Sequence, residues 1–170
     1  MKNILLIFIF LFGLVTNIAA QNISGSTMTA ITGTSINFPI NFTAGTVGVS
    51  TMQFDLVLPI GIVSPNPAII TTGLAASSAG KAASSNILSN GRIRILIFGL
   101  NQNIIPSGNI VNISLNITAG IAAGIYLTQV INIVSSDKLG NSVPTTGTNL
   151  EIVVVLPSTE VFSPKNLKFQ

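Results

Sequence analysis

The chain has 170 residues, of which 48% are hydrophobic and only 6% charged, with a net charge of +3. It contains no Cys and no His, which excludes disulfides, thiolate metal sites and the usual Ser-His-Asp and Cys-His nucleophile systems. A pI near 9.7 reflects scarce charge rather than a basic patch: Arg92 and Arg94 are the one close basic pair, without interleaved aromatics, so nucleic acid is not an expected partner.

The first twenty residues read as a secretory signal peptide. Lys2 supplies the positive start, residues 4–15 are apolar, and Asn17-Ile18-Ala19-Ala20 offers small residues for cleavage before Gln21. A retained anchor helix is the alternative, but the apolar run is short of the ~20 residues that a bilayer span needs. Membrane contact is therefore expected through the signal peptide alone. Cleavage leaves 150 of the 170 residues, enough for one domain that buries about 70% of its unfolded surface.

From there the sequence alternates with period two, the mark of strands with one buried face. A weak strand lies within residues 23–31. Ile36, Phe38, Ile40 and Phe42 then alternate with Asn37, Pro39 and Asn41, and Pro39 predicts a local edge or a bulge because it has no N–H. Met52, Phe54, Leu56 and Leu58 alternate with Gln53 and Asp55. Residues 74–85, rich in Ala and Ser, read as a short helix or a loop. Asn90-Gly91 predicts a two-residue type I′ hairpin joining residues 84–89 to 92–98, where Ile93, Ile95 and Ile97 point inward. Val111, Ile113, Leu115 and Ile117 follow, then a less regular strand over residues 125–134, and finally Leu150, Ile152, Val154 and Leu156. Turn signals separate these runs at Ala44-Gly45, Pro106-Ser107-Gly108, Ala119-Gly120, residues 137–140 and Thr146-Gly147. Many short strands with one polar face predict an all-β fold, an antiparallel two-sheet β-sandwich spanning residues 21–156. Residues 157–170, with two prolines and little alternation, read as a linker or tail.

The order of segments resembles bacterial cohesin domains. Val49-Ser50-Thr51-Met52-Gln53-Phe54-Asp55-Leu56 is similar to their central strand. Gly91-Arg92-Ile93-Arg94-Ile95 and Ser107-Gly108-Asn109-Ile110-Val111 are similar to their glycine-led strands. Asp137-Lys138-Leu139-Gly140-Asn141, Gly147 and residues 150–155 are similar to their closing section. The resemblance spans residues 23–155 and implies a nine-stranded jelly roll. It also implies an extracellular partner of dockerin type, held on one sheet face, with calcium belonging to the dockerin. The family's polar positions fall at Thr51 and Gln53 and an acidic one at Gly99, and none of the three carries the family's charge here. In the tail, Ser163-Pro164-Lys165-Asn166-Leu167 resembles the opening of a fibronectin type III domain, which would make the chain part of a longer modular protein.

Candidate sites are few. The four acidic residues are Asp55, Asp137, Glu151 and Glu160; a glycosidase needs two carboxylates flanking one bond. Asp55 and Glu151 sit on polar sides of different strands and read as solvated, so catalysis is not expected. Asp137 with Asn141 is the one local oxygen cluster, and it reads as a turn rather than a Ca²⁺ site; no metal and no cofactor are expected. With no Trp and one Tyr, Tyr126, the chain lacks the aromatic platforms of sugar grooves. The loop over residues 99–106 carries Asn101, Gln102 and Asn103, whose amides either contact a partner or satisfy the loop backbone. Four Asn-X-Ser/Thr sequons stand at Asn22, Asn41, Asn112 and Asn116. The partner-binding residues predicted from alternation are Thr51, Gln53, Asp55, Arg92 and Arg94, on one flat sheet face. The reading is a secreted or cell-surface, non-catalytic module for protein–protein interaction. Polysaccharide binding and a structural, self-associating role are the alternatives.

Overall fold

The computed structural model describes residues 20–63 and 69–158. The candidate signal peptide before Ala20 and the Ser163–Leu167 motif of the tail lie outside the described residues. The strands are β1 (Gln21–Gly25), β2 (Met28–Ile31), β3 (Ser35–Thr43), β4 (Thr51–Val57) and β5 (Ile69–Thr72), followed by a helix, α1 (Leu74–Ser78). After it come β6 (Ala82–Ile87), β7 (Ile93–Phe98), β8 (Gly108–Asn116), β9 (Gly124–Ser136), β10 (Thr145–Gly147) and β11 (Leu150–Val155). A five-stranded sheet, β10-β1-β3-β8-β5, packs on a six-stranded sheet, β2-β11-β9-β4-β7-β6.

This is the two-sheet sandwich that the alternation predicts. Phe38, Ile40 and Phe42 of β3, with Ile113 and Leu115 of β8, are buried from one sheet. Met52, Phe54 and Leu56 of β4, with Ile93, Ile95 and Ile97 of β7, meet them from the other. Burying each such side chain stabilises the fold by about 1.5–3 kcal/mol. Leu156 is the exception: it lies beyond β11 and is exposed.

The described residues hold eleven strands rather than nine. The weak first strand divides: β1 pairs with β3 in one sheet, and β2 pairs with β11 in the other, so residues 26–27 carry the chain between layers. β5 was not visible as an alternation, and Thr146-Gly147, read as a turn, forms part of β10 beside β1. Residues 74–85 are neither all helix nor all loop. α1 buries Ala75 and Ala76 at one end of the sandwich, and β6 begins four residues after it.

Two glycine and proline signals are resolved physically. β3 is an inner strand, but β1 stops at Gly25, opposite Ile40, so Pro39 has a ladder neighbour only on the β8 side. The register then slips at Ile40/Asn41. Asn90-Gly91 does join β6 to β7, but not as a type I′ turn. Gly91 is left-handed (φ 78°) and Asn90 is not. Gly91 N donates to Leu88 O and Leu88 N to Arg92 O, both at 2.8 Å, which makes a three-residue loop. Asn90 Oδ1 accepts from Arg92 N at 3.2 Å instead of entering the left-handed region.

Candidate docking face

The outer surface of the six-stranded sheet is built around β4, which lies between β9 and β7. Because side chains alternate, Thr51, Gln53 and Asp55 of β4 point outward with Arg94, Leu96 and Phe98 of β7. Register aligns them in rows: Gln53 lies between Leu96 and Val134, and Asp55 lies between Arg94 and Ile131. Four of the predicted residues, Thr51, Gln53, Arg92 and Arg94, are half-buried and so present part of themselves to solvent. The structure brings them onto one face.

Asp55 differs from its expected solvated state, being 0% exposed. Arg94 Nε and Nη2 donate to its two oxygens at 2.8 and 3.1 Å, and Asn132 Nδ2 donates to Oδ2 at 2.8 Å. Hydrogen bonds from Arg94 hold the Asp55 carboxyl below the usual carboxylate range, against the upward push of burial, and Asn132 adds to the lowering. The same pair raises the Arg94 guanidinium. A carboxylate so enclosed cannot touch a partner directly. Its effect is to fix Arg94, whose side chain remains 38% exposed.

Asn132 reaches Asp55 because β9 is bulged. Gln53 pairs with Val134 and Asp55 with Ile131, so Asn132 and Ile133 together oppose Phe54. Asn132 takes the left-handed backbone there (φ 52°), which Asn tolerates better than most residues. Sequence reasoning missed this residue, since the irregularity of residues 125–134 showed without its cause.

It also missed how apolar the face is. Leu96 is 39%, Phe98 42% and Val134 62% exposed, beside Gln53 and Thr51. A signal was present: β7 carries apolar residues on both phases of its alternation, so some of them had to face water.

The remaining candidates resolve as structure. Asp137 accepts from Leu139 N, Asn141 N and Asn141 Nδ2 at 2.8–2.9 Å, closing its own turn; the Asn141 side chain leads the bonds that lower its carboxyl. Among the described residues, no three metal-ligating side chains converge. In the loop over residues 99–106, Asn101 and Asn103 donate to Gly80 O and Ala79 O, holding the loop on the end of α1. Tyr126 Oη donates to Ala122 O. Glu151, on β11, is half-buried and accepts from Thr27. All four sequon asparagines lie on β1, β3 and β8, alternating with buried Ile23, Phe42, Ile113 and Ile117, so the sequon pattern follows from strand alternation in a chain whose outward residues are Asn, Ser and Thr.

One cation is placed unexpectedly. Lys81 is 4% exposed, and its Nζ donates to Ser50 Oγ at 3.2 Å and to Asn101 O at 2.8 Å, with no carboxylate in the set. Burial pushes its ammonium down from the usual lysine value.

No protein-family model and no curated protein matches this sequence. Solved structures do match its fold. The sixth cohesin of scaffoldin B from Acetivibrio cellulolyticus, in complex with a Cel5 dockerin mutant, superposes with a TM-score of 0.69 at 18% identity, covering 81% of this chain and 100% of that one. The seventh ScaB type I cohesin from Pseudobacteroides cellulosolvens gives 0.67 at 21% identity over 82% and 94%. The fold is that of a cohesin. A non-cellulosomal cohesin from the archaeon Archaeoglobus fulgidus matches similarly, with a TM-score of 0.67 at 18% identity over 84% and 94% of the two chains. At Gly99, where the resemblance places an acidic residue, a Cβ would lie 2.8 Å from Gly80 O. An acidic side chain there would force the Gly80–Lys81 segment to shift.

Proposed function

We propose that the chain is an extracellular, non-catalytic binding module that holds a protein partner on the outer face of its six-stranded sheet. The observation that carries this reading is the exposed apolar group Leu96, Phe98 and Val134 beside a guanidinium fixed by a buried carboxylate. The solved cohesin–dockerin complex of the same fold supports a partner of dockerin type, and the candidate signal peptide supports export. Thr51, Gln53, Arg92 and Arg94 contact the partner in this reading, and Asp55 positions Arg94. Since Arg94 is already paired and Arg92 is not in an ion pair among the described residues, the face carries a local excess of positive charge. The partner that fits presents apolar side chains with an acidic group beside them.

The test is capture from the native secretome on the immobilised protein, followed by titration of the captured partner and of a panel of dockerin modules. Leu96→Glu with Phe98→Glu removes two apolar contacts; at about 2 kcal/mol each, affinity should fall about 30-fold for the loss of one and several hundred-fold where both add. Unchanged affinity in that variant would refute the face.

A second reading rests on the opposite surface. Asn37 and Asn41 of β3, with Asn112 and Ser114 of β8, form an uncharged row suited to sugar hydroxyls. Retention on insoluble polysaccharide, abolished by Asn37→Ala with Asn112→Ala, would establish it; passage through a broad polysaccharide panel without retention would dismiss it.

A further inference from the structure

Among the described residues, each sheet ends in two strands with an unpaired side: β10 and β5 in one, β2 and β6 in the other. β6 is the longest of these four, with six residues against four or fewer. Edge strands are commonly guarded by charge, proline or a bulge, because their free N–H and C=O groups template further pairing. β6, Ala82-Ala83-Ser84-Ser85-Asn86-Ile87, has no charge and no proline, and it pairs with β7 in an unbroken register.

Two independent hydrogen bonds fix which backbone groups point off this edge. Leu88 N donates to Arg92 O at 2.8 Å, so the even-numbered residues are the ones bonded to β7 in the antiparallel ladder. On the other side, Ala83 N turns away from β7 and donates to Thr72 Oγ1 of β5 at 3.0 Å. Ala83, Ser85 and Ile87 therefore direct their backbone groups outward. Thr72 occupies the N–H of the first, which leaves Ser85 and Ile87 as the open donors and acceptors among the described residues.

We infer that this edge pairs with the same edge of a second copy, antiparallel, about a two-fold axis at Asn86. A register centred on Ser85 would need the Ala83 N–H, which Thr72 already holds. Centred on Asn86, Ser85 of each copy faces Ile87 of the other. Ser85 N then donates to Ile87 O, Ile87 N donates to Ser85 O, and symmetry repeats both bonds. Asn86 faces Asn86. An amide carries both a donor and an acceptor and so pairs with its own kind, whereas a charge at that position would meet itself. The exposed Leu96 and Phe98 lie on the neighbouring strand and stay uncovered by this contact, so a dimer would present two docking faces on one continuous sheet.

Such a short contact belongs to the small, transient class of interfaces, so the dimer is expected at roughly 0.1–1 mM protein. Sedimentation equilibrium of the purified protein across that range should show the weight-average mass rising toward twice the monomer. Asn86→Lys and Asn86→Asp alone should each remain monomeric, since like charges then face one another. An equimolar mixture of the two should recover the heavy species. Ser85→Pro, which deletes an outward donor and leaves the bonds to β7, should also remain monomeric. Circular dichroism identical to the wild type establishes that these exposed-edge variants are folded. A monomeric wild type throughout the range, a dimer unaffected by Asn86→Lys, or a mixture that fails to recover the dimer would each overturn the inference.

Discussion

Replacing Asp55 by Asn tests whether the buried carboxylate is the element that organises the docking face. The carboxylate accepts three charge-assisted or amide hydrogen bonds, two from Arg94 and one from Asn132. An amide keeps one acceptor oxygen and turns an NH₂ toward a donor, so at least one Arg94 bond is lost. A hydrogen bond to a charged group contributes about 1.5–3 kcal/mol net. The Arg94 side chain is 38% exposed and can regain water, which moves the expected loss to the low end, about 2 kcal/mol at neutral pH. The pH dependence gives the sharper signature. The folded-state carboxyl titrates below its unfolded value near ~3.9, so its contribution is complete above that pH and fades as pH falls beneath it. Urea unfolding of wild type and variant from pH 7 to pH 2.5 should show a stability gap that is flat above about pH 5 and narrows below ~4. A variant as stable as wild type at pH 7, or a gap that persists unchanged in acid, would refute the role assigned to Asp55.

Four further substitutions have expected outcomes in chemical denaturation. Lys81→Met should match or exceed wild-type stability at pH 7, because a buried ammonium without a carboxylate is replaced by an apolar chain. Lys81 has a lowered folded-state value, so wild type should gain stability relative to that variant as pH rises toward the unfolded lysine value near ~10.4. Thr128→Val should stabilise by about 1 kcal/mol, since the Thr128 hydroxyl is buried with no hydrogen-bond partner among the described residues. Gly91→Ala should cost about 1 kcal/mol through backbone conformation alone, because φ is 78° and nothing lies within 4 Å of the added Cβ. Gly99→Asp should cost about 1–3 kcal/mol for the opposite reason, a clash with Gly80 O at 2.8 Å.

The buried half of this fold was legible because period two is a direct record of which residues face the core. Phe38, Phe54, Ile95 and Ile113 could be placed from spacing alone, and each is fully buried. Short elements were harder. β5 and β10 span four and three residues, too few for an alternation to register, and β1 and β2 share one weak apolar run although they belong to different sheets. For the face itself, alternation correctly turned Thr51, Gln53, Asp55 and Arg94 outward but could not report enclosure. Asp55 disappears from solvent because Arg94 and Asn132 close over it, and Asn132 arrives through a bulge that depends on three-dimensional register. Lys81 was equally hidden, since its partners Ser50 and Asn101 are far from it in sequence.

The first and last described segments bear on how the domain would carry load. β1 runs parallel to β10, and β2 runs parallel to β11. A pull applied at Pro157 draws β11 lengthwise against its parallel mate β2, so that the bonds between them are loaded together. A module bridging a moving partner and a fixed anchor gains from that geometry, since its lifetime under tension is set by a rate of rupture rather than by equilibrium stability.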